Sequence, residues 1–99
     1  VMRHPDPSTI QEAGILLGEY YYRTGEIERA GRTFINAAVA QPGNRDLMAH
    51  SLFRAAQMMK LSGREKELRE LVERLERNFP GSEWSNNAVK LLEGLEERR

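Results

Sequence analysis

The stretch LGEYYYRTGEIERAGRTFINAAVAQP, residues 17–42, decides the fold. At its centre Thr24-Gly25 reads as a helix stop, because glycine takes the left-handed cap conformation without a Cβ penalty. Before the stop, Ala13, Leu16, Leu17, Tyr20 and Tyr21 recur at three- and four-residue steps, which is helical spacing and predicts one apolar stripe. After it, over about 26–40, Ile27, Ala30, Phe34, Ala37 and Ala38 do the same, and Pro42-Gly43 ends the run. Two helices joined by a short turn make a hairpin.

Moving along the chain by 38 residues meets the same marks again. Gly18 falls on Ala56 and then Gly94, Gly25 on Gly63, Tyr21 on Met59, Ala30 on Leu68, Phe34 on Val72 and Ala37 on Leu75. Pro5, Pro42 and Pro80 punctuate the chain at nearly the same interval. A fixed period of this size is the mark of stacked supersecondary units. The second unit holds a helix over about 45–61, with Leu47, Met48, Leu52, Ala55, Ala56 and Met59, closed by Ser62-Gly63. A fourth helix over about 64–78 carries Leu68, Leu71, Val72 and Leu75, and a fifth over about 83–97 carries Trp84, Ala88, Leu91, Leu92 and Leu95. Ser8 with Gln11, and Ser62 with Glu65, have the spacing of capping boxes, and Ser82 is placed to cap the fifth helix. No segment alternates as a strand does, and no proline interrupts a helix. The expected class is all-α, built of antiparallel hairpins. Gly18 and Ala56 would be close-approach positions, with Ala30 opposite Gly18.

Composition excludes several functions. With 15 basic and 15 acidic residues among 99 the formal charge is zero, so no electrostatic footprint for nucleic acid exists. No apolar run approaches the ~20 residues of a membrane span, and the chain has no Cys for a thiolate metal site or nucleophile. Val1-Met2-Arg3-His4-Pro5 lacks a targeting pattern. If the parent protein is exported, its signal lies outside this segment. His4 and His50 are far apart with no second ligand at metal spacing, and no nucleophile elbow or phosphate loop occurs. Ser51 beside His50 forms no catalytic pair, since helical neighbours diverge by about 100°. No enzyme, metal or cofactor is expected. The charges from Lys60 to Arg77 alternate in sign at i,i+4 (Glu65/Arg69, Lys66/Glu70, Glu70/Arg74, Glu73/Arg77) and read as a solvated face.

Leu17-Gly18, Tyr21, Gly25, Ala30, Phe34, Ala37 and Pro42 together resemble the tetratricopeptide (TPR) repeat, with Gly14 where that family has Trp. The second copy is degenerate but keeps polarity and size at each place. The period of 38 exceeds the family's usual 34 by about one turn of the first helix. With Phe79-Pro80-Gly81-Ser82 at a junction, this is similar to bacterial cell-envelope members, the outer-membrane assembly lipoproteins and the Tol-Pal-associated protein. The resemblance implies a short right-handed TPR-like superhelix. It would be a single domain over 1–99, with repeat 1 at about 8–42, repeat 2 at about 45–80 and a terminal capping helix at about 83–97, as a fragment of a longer protein. It suggests the periplasm or envelope, the cytoplasm being the alternative; the residues themselves name no compartment.

The resemblance also supplies a groove. Its concave face would be lined by Glu12, Ile15, Glu19, Tyr22 and Arg23 from the first helix, and by His50, Phe53, Arg54, Gln57 and Lys60 from the third. Ile15, Glu19, Tyr22, Arg23, His50, Phe53, Arg54 and Gln57 are the expected partner-binding residues, because aromatics amid polar groups compose an interface. The carboxylate clamp of chaperone-binding members falls on Ile15, Glu19, His50 and Arg54, of which only Arg54 agrees, so an acidic chaperone tail is not the expected ligand. The expected function is a non-catalytic protein–protein interaction module and scaffold binding a partner peptide or helix. The alternative is a structural spacer or self-association domain, in which a second copy docks on Trp84, Leu91 and Leu95 of the terminal helix.

Overall fold

The computed structural model of the protein describes residues 7–39 and 44–96. Five helices follow one another: α1 (Pro7–Arg23), α2 (Ile27–Val39), α3 (Arg45–Leu61), α4 (Glu65–Asn78) and α5 (Glu83–Glu96). Among the described residues there is no strand. The starts of α1, α3 and α5 fall at 7, 45 and 83, and those of α2 and α4 at 27 and 65. Every helix start thus recurs after 38 residues, the spacing of the sequence marks.

Local chemistry sets most of these boundaries. Gly25 and Gly63 adopt φ of 85° and 75°, the left-handed cap that only glycine takes freely. The turn then closes through backbone bonds, Glu26 N–H to Tyr21 C=O at 2.9 Å and Arg64 N–H to Met59 C=O at 2.8 Å. These are the six-residue closures that satisfy a helix's last carbonyls. Asn44 caps α3 by accepting the Leu47 N–H at 3.0 Å, and Ser82 Oγ accepts the Ser85 N–H at 3.1 Å as expected.

Two helix starts differ from the expected capping boxes. α1 opens at Pro7, where a missing N–H costs nothing, so Ser8 already lies inside the helix. Gln11 is fully buried, and its Oε1 accepts the Asn44 N–H at 3.0 Å, tying α1 to the start of α3. Ser62 turns backward to donate to the Met58 carbonyl at 2.9 Å, and α4 starts without a side-chain cap. The carbonyls ending α3 need donors as much as the amides beginning α4 do. The Pro42-Gly43 stop lies outside the described residues.

Each helix packs on the next, and α3 also touches α1 and α5. A Cβ on Gly14 would lie 2.7 Å from the Ala37 methyl, and one on Gly18 would lie 2.6 Å from the Phe34 ring. The pairs run in opposite senses, so α1 and α2 are antiparallel, and their backbones approach because glycine yields the space. Phe34, rather than Ala30, opposes Gly18. The flat ring needs the missing side chain more than Ala30 does. Phe34, Met58, Leu68, Val72 and Leu75 are fully buried, joined by Ala30, Ala38, Leu52, Ala55 and Ala56.

α1 departs from its expected stripe. Ala13 is exposed, and Leu16, Leu17 and Tyr20 keep 70%, 45% and 59% of their surface in solvent. The buried face is Gln11, Ile15 and Gly18, with Gly14 and Tyr21 half-buried. Among the described residues α1 meets only α2 and α3, and none of them covers its other apolar side. α5 is the reverse case. Ser85 and Ala88 are buried, and Trp84, Leu91, Leu92 and Leu95 are half-buried against the core. Its outer face shows Glu83, Asn86, Lys90 and Glu93. Trp84, Leu91 and Leu95 thus lean on the core while each keeps part of its surface in solvent. No described helix is long and apolar enough to cross a membrane.

Candidate functional site

α1, α3 and α5 lie side by side and run in the same direction. Gln11 meets Asn44 and Glu19 meets Arg54, while Asp46 meets Trp84 and Lys60 lies beside Gly94. Side chains from successive turns of the three helices therefore share one surface, and the expected site residues other than Ile15 fall along it.

Arg54 organises its middle. Its Nε donates to Glu19 Oε1 at 2.5 Å, and its Nη1 donates to Gln57 Oε1. The guanidinium carbon stands 5.2 Å from the Tyr22 ring centre and 5.3 Å from that of Phe34, within cation–π range. Only 16% of the Arg54 side chain and 29% of the Glu19 side chain reach solvent. An ion pair so shielded keeps more of its Coulomb attraction than a surface pair does. Arg54 is thus held within the chain, joining α1 to α3 and fixing the Tyr22 ring. Nη2 is its one nitrogen without a partner among the described residues.

Farther along α3, His50, Phe53 and Trp84 form an aromatic corner. The His50 and Trp84 rings stack with centres 4.3 Å apart and planes 15° apart. Phe53 tilts against Trp84 at 5.7 Å and 37°. Trp84 Nε1 donates to Asp46 Oδ1 at 3.0 Å, so the indole is held by three residues of α3. Burial, and after it the Arg54 charge, push His50 below the ordinary imidazole value, against the opposing pull of Asp46, Glu19 and Glu83. A neutral ring is the form that stacks on an indole without desolvating a charge.

Of the expected residues, Glu19, His50, Phe53, Arg54 and Gln57 are half-buried, and Tyr22 and Arg23 are exposed. All seven sit on α1 or α3. Ile15 does not belong with them. It is 8% exposed and part of the core, because the flank of α1 that faces its neighbours claims it. Trp84 was missed as a site residue, since the stripe of α5 alone does not say which neighbour it meets. A sequence signal exists nonetheless: Trp84 lies one period after Asp46, the residue it bonds.

No group of three or more His, Cys, Asp or Glu residues that could hold a metal occurs among the described residues. Ser51 is buried, and its Oγ makes no hydrogen bond to His50. A cleft of about 560 Å³ lies elsewhere, lined by Val39, Arg45, Met48, Leu52, Arg74 and Phe79 among others. None of the groove residues borders it. No family model, curated protein or solved structure matches the chain. The functional reading therefore rests on the chain's own geometry.

Proposed function

We propose that the protein is a non-catalytic, TPR-like interaction module. It takes a partner peptide or helix along the surface shared by α1, α3 and α5, with Tyr22, Phe53 and Trp84 as apolar anchors. The observation that carries this reading is the half-buried Glu19–Arg54–Gln57 knot beneath Tyr22. It holds an aromatic ring still on a surface where Tyr22 keeps 40% of its area in solvent. Ordering such rings in advance removes entropy that binding would otherwise cost. Tyrosine and tryptophan anchors dominate interface energies, at ~2 kcal/mol or more each. Arg54 supports the surface and offers Nη2 to a partner's carbonyl or carboxylate, while Arg23 at the exposed edge steers acidic segments.

The test begins with peptides selected from a random 12-mer display library on the wild-type protein. Their affinities are then measured for wild type, Tyr22→Ala, Phe53→Ala and the outer-face variant Glu70→Ala. Each aromatic truncation should weaken binding about 30-fold, with melting temperatures showing that the variants remain folded. Peptides that bind Tyr22→Ala and Phe53→Ala as tightly as wild type, but lose affinity for Glu70→Ala, would move the working surface to α4.

A further inference from the structure

The uncovered side of α1 has a counterpart inside the same molecule. One period after Ile10, Ala13, Leu17 and Tyr20 stand Met48, Ser51, Ala55 and Met58 of α3. Ser51, Ala55 and Met58 are 0%, 0% and 1% exposed, and Met48 is half-buried. This face of α3 meets α2: a Cβ on Gly31 would lie 3.3 Å from Met58 Cβ and 3.0 Å from the Met59 methyl. The same face of α1 is bare, with Ile10, Leu17 and Tyr20 at 37%, 45% and 59% exposure. The other half of each helix matches as well. Gly14 and Gly18 of α1 turn toward α2, and one period on Leu52 and Ala56 of α3 are buried.

We infer that this face of α1 is an acceptor for one more helix of the α2 kind. The α2–α3 contact, moved back by 38 residues, specifies that helix. It is amphipathic, about 13 residues long, and presents small residues at the places of Gly31 and Ala38 so that Leu17 and Tyr20 seat against its backbone. Charge specifies it further. Beside the α2–α3 contact, Glu28 reaches Arg64 at 3.0 Å. One period before Arg64 stands Glu26, engaged by Arg29 and Thr24, so a base rather than an acid at the place of Glu28 avoids repulsion there. At the opposite end α5 exposes Glu83, Asn86, Lys90 and Glu93 around the single apolar residue Val89, a far more polar face than the bare side of α1. This surface lies apart from the Tyr22–Trp84 groove, and both can be occupied together.

The test extends the full chain while keeping its period. A second copy of residues 7–44, with Glu28→Lys in the inserted segment, is placed immediately before Pro7, so that the new second helix meets α1 as α2 meets α3. The extended chain should melt above the parent. Leu17→Glu should lower the melting temperature of the extended chain by about 5 °C or more, and that of the parent by under about 2 °C, since Leu17 is already wet there. Equal effects of Leu17→Glu in the two chains, or an extended chain that melts no higher than the parent, would overturn the inference. So would a parent chain that sediments as a dimer and becomes monomeric with Leu17→Glu, because the occupant would then be a second copy meeting α1 directly.

Discussion

Replacing Gly18 by Ala separates this packing from a generic helical one, because the substitution improves local propensity and damages only a tertiary contact. Alanine in a helix interior is favoured over glycine by about 1 kcal/mol. Against that, the new Cβ would stand 2.6, 2.7 and 2.8 Å from three carbons of the Phe34 ring, where carbon contacts settle near 3.5–4.0 Å. Phe34 has no exposed surface, and the Arg54 guanidinium lies 5.3 Å from its centre, so the ring has little room to retreat. Overpacking of this kind costs about 1–3 kcal/mol, leaving Gly18→Ala neutral to destabilised by about 2 kcal/mol. Gly94 is the control. There a Cβ would come no nearer than 3.6 Å to anything, and that neighbour is the mobile end of Lys60, so Gly94→Ala keeps most of its propensity gain. Thermal unfolding followed by circular dichroism should therefore place Gly94→Ala above Gly18→Ala by about 1–3 kcal/mol, or about 4–24 °C for a domain of this size. Gly18→Leu, with three more carbons at the same contact, should fall lower still. Equal melting temperatures for Gly18→Ala and Gly94→Ala would refute the close crossing of α1 and α2.

Phe34→Ala should cost about 3–5 kcal/mol, enough to unfold much of the population. Glu70→Ala, at an exposed position of α4, should cost under about 0.5 kcal/mol by urea titration; a reversal of that order would place Phe34 outside the core. His50 is held below its ordinary value, so between its unfolded and folded titrations the unfolded chain binds more protons. Its contribution to stability is therefore complete above about pH 6.5 and is lost as the pH falls below that. Wild type should lose more melting temperature than His50→Gln between pH 7.5 and 5.5, and parallel losses would show that burial of His50 imposes no such cost.

The boundaries of this fold were legible because they depend on neighbours in sequence. Helices read over about 26–40, 45–61, 64–78 and 83–97 appear as Ile27–Val39, Arg45–Leu61, Glu65–Asn78 and Glu83–Glu96. Gly25 and Gly63 stop chains because one residue's backbone freedom suffices, and the spacing of 38 carries through to the helix starts. The repeat resemblance set Tyr22, Phe53 and Arg54 on one face, and the structure brings Arg54 against the Tyr22 ring.

What the tertiary structure decided is which of several equivalent local choices is used. α1 carries two apolar faces, Ile10–Ala13–Leu17–Tyr20 and Gly14–Ile15–Gly18–Tyr21, and periodicity rates both as buried. Only the one-sided packing of α2 and α3 chose the second. Ser62 had donors and acceptors on either side of the turn, and the carbonyls ending α3 won it. Arg54 looked free to hold a ligand's charge until Glu19, 35 residues away, proved to be its partner. Trp84 belonged to the stripe of α5 until His50, Phe53 and Asp46 of α3 fixed its ring. Each of these turns on a distance between residues far apart in sequence, and burial and pairing free energies exist only once the chain has brought such residues together.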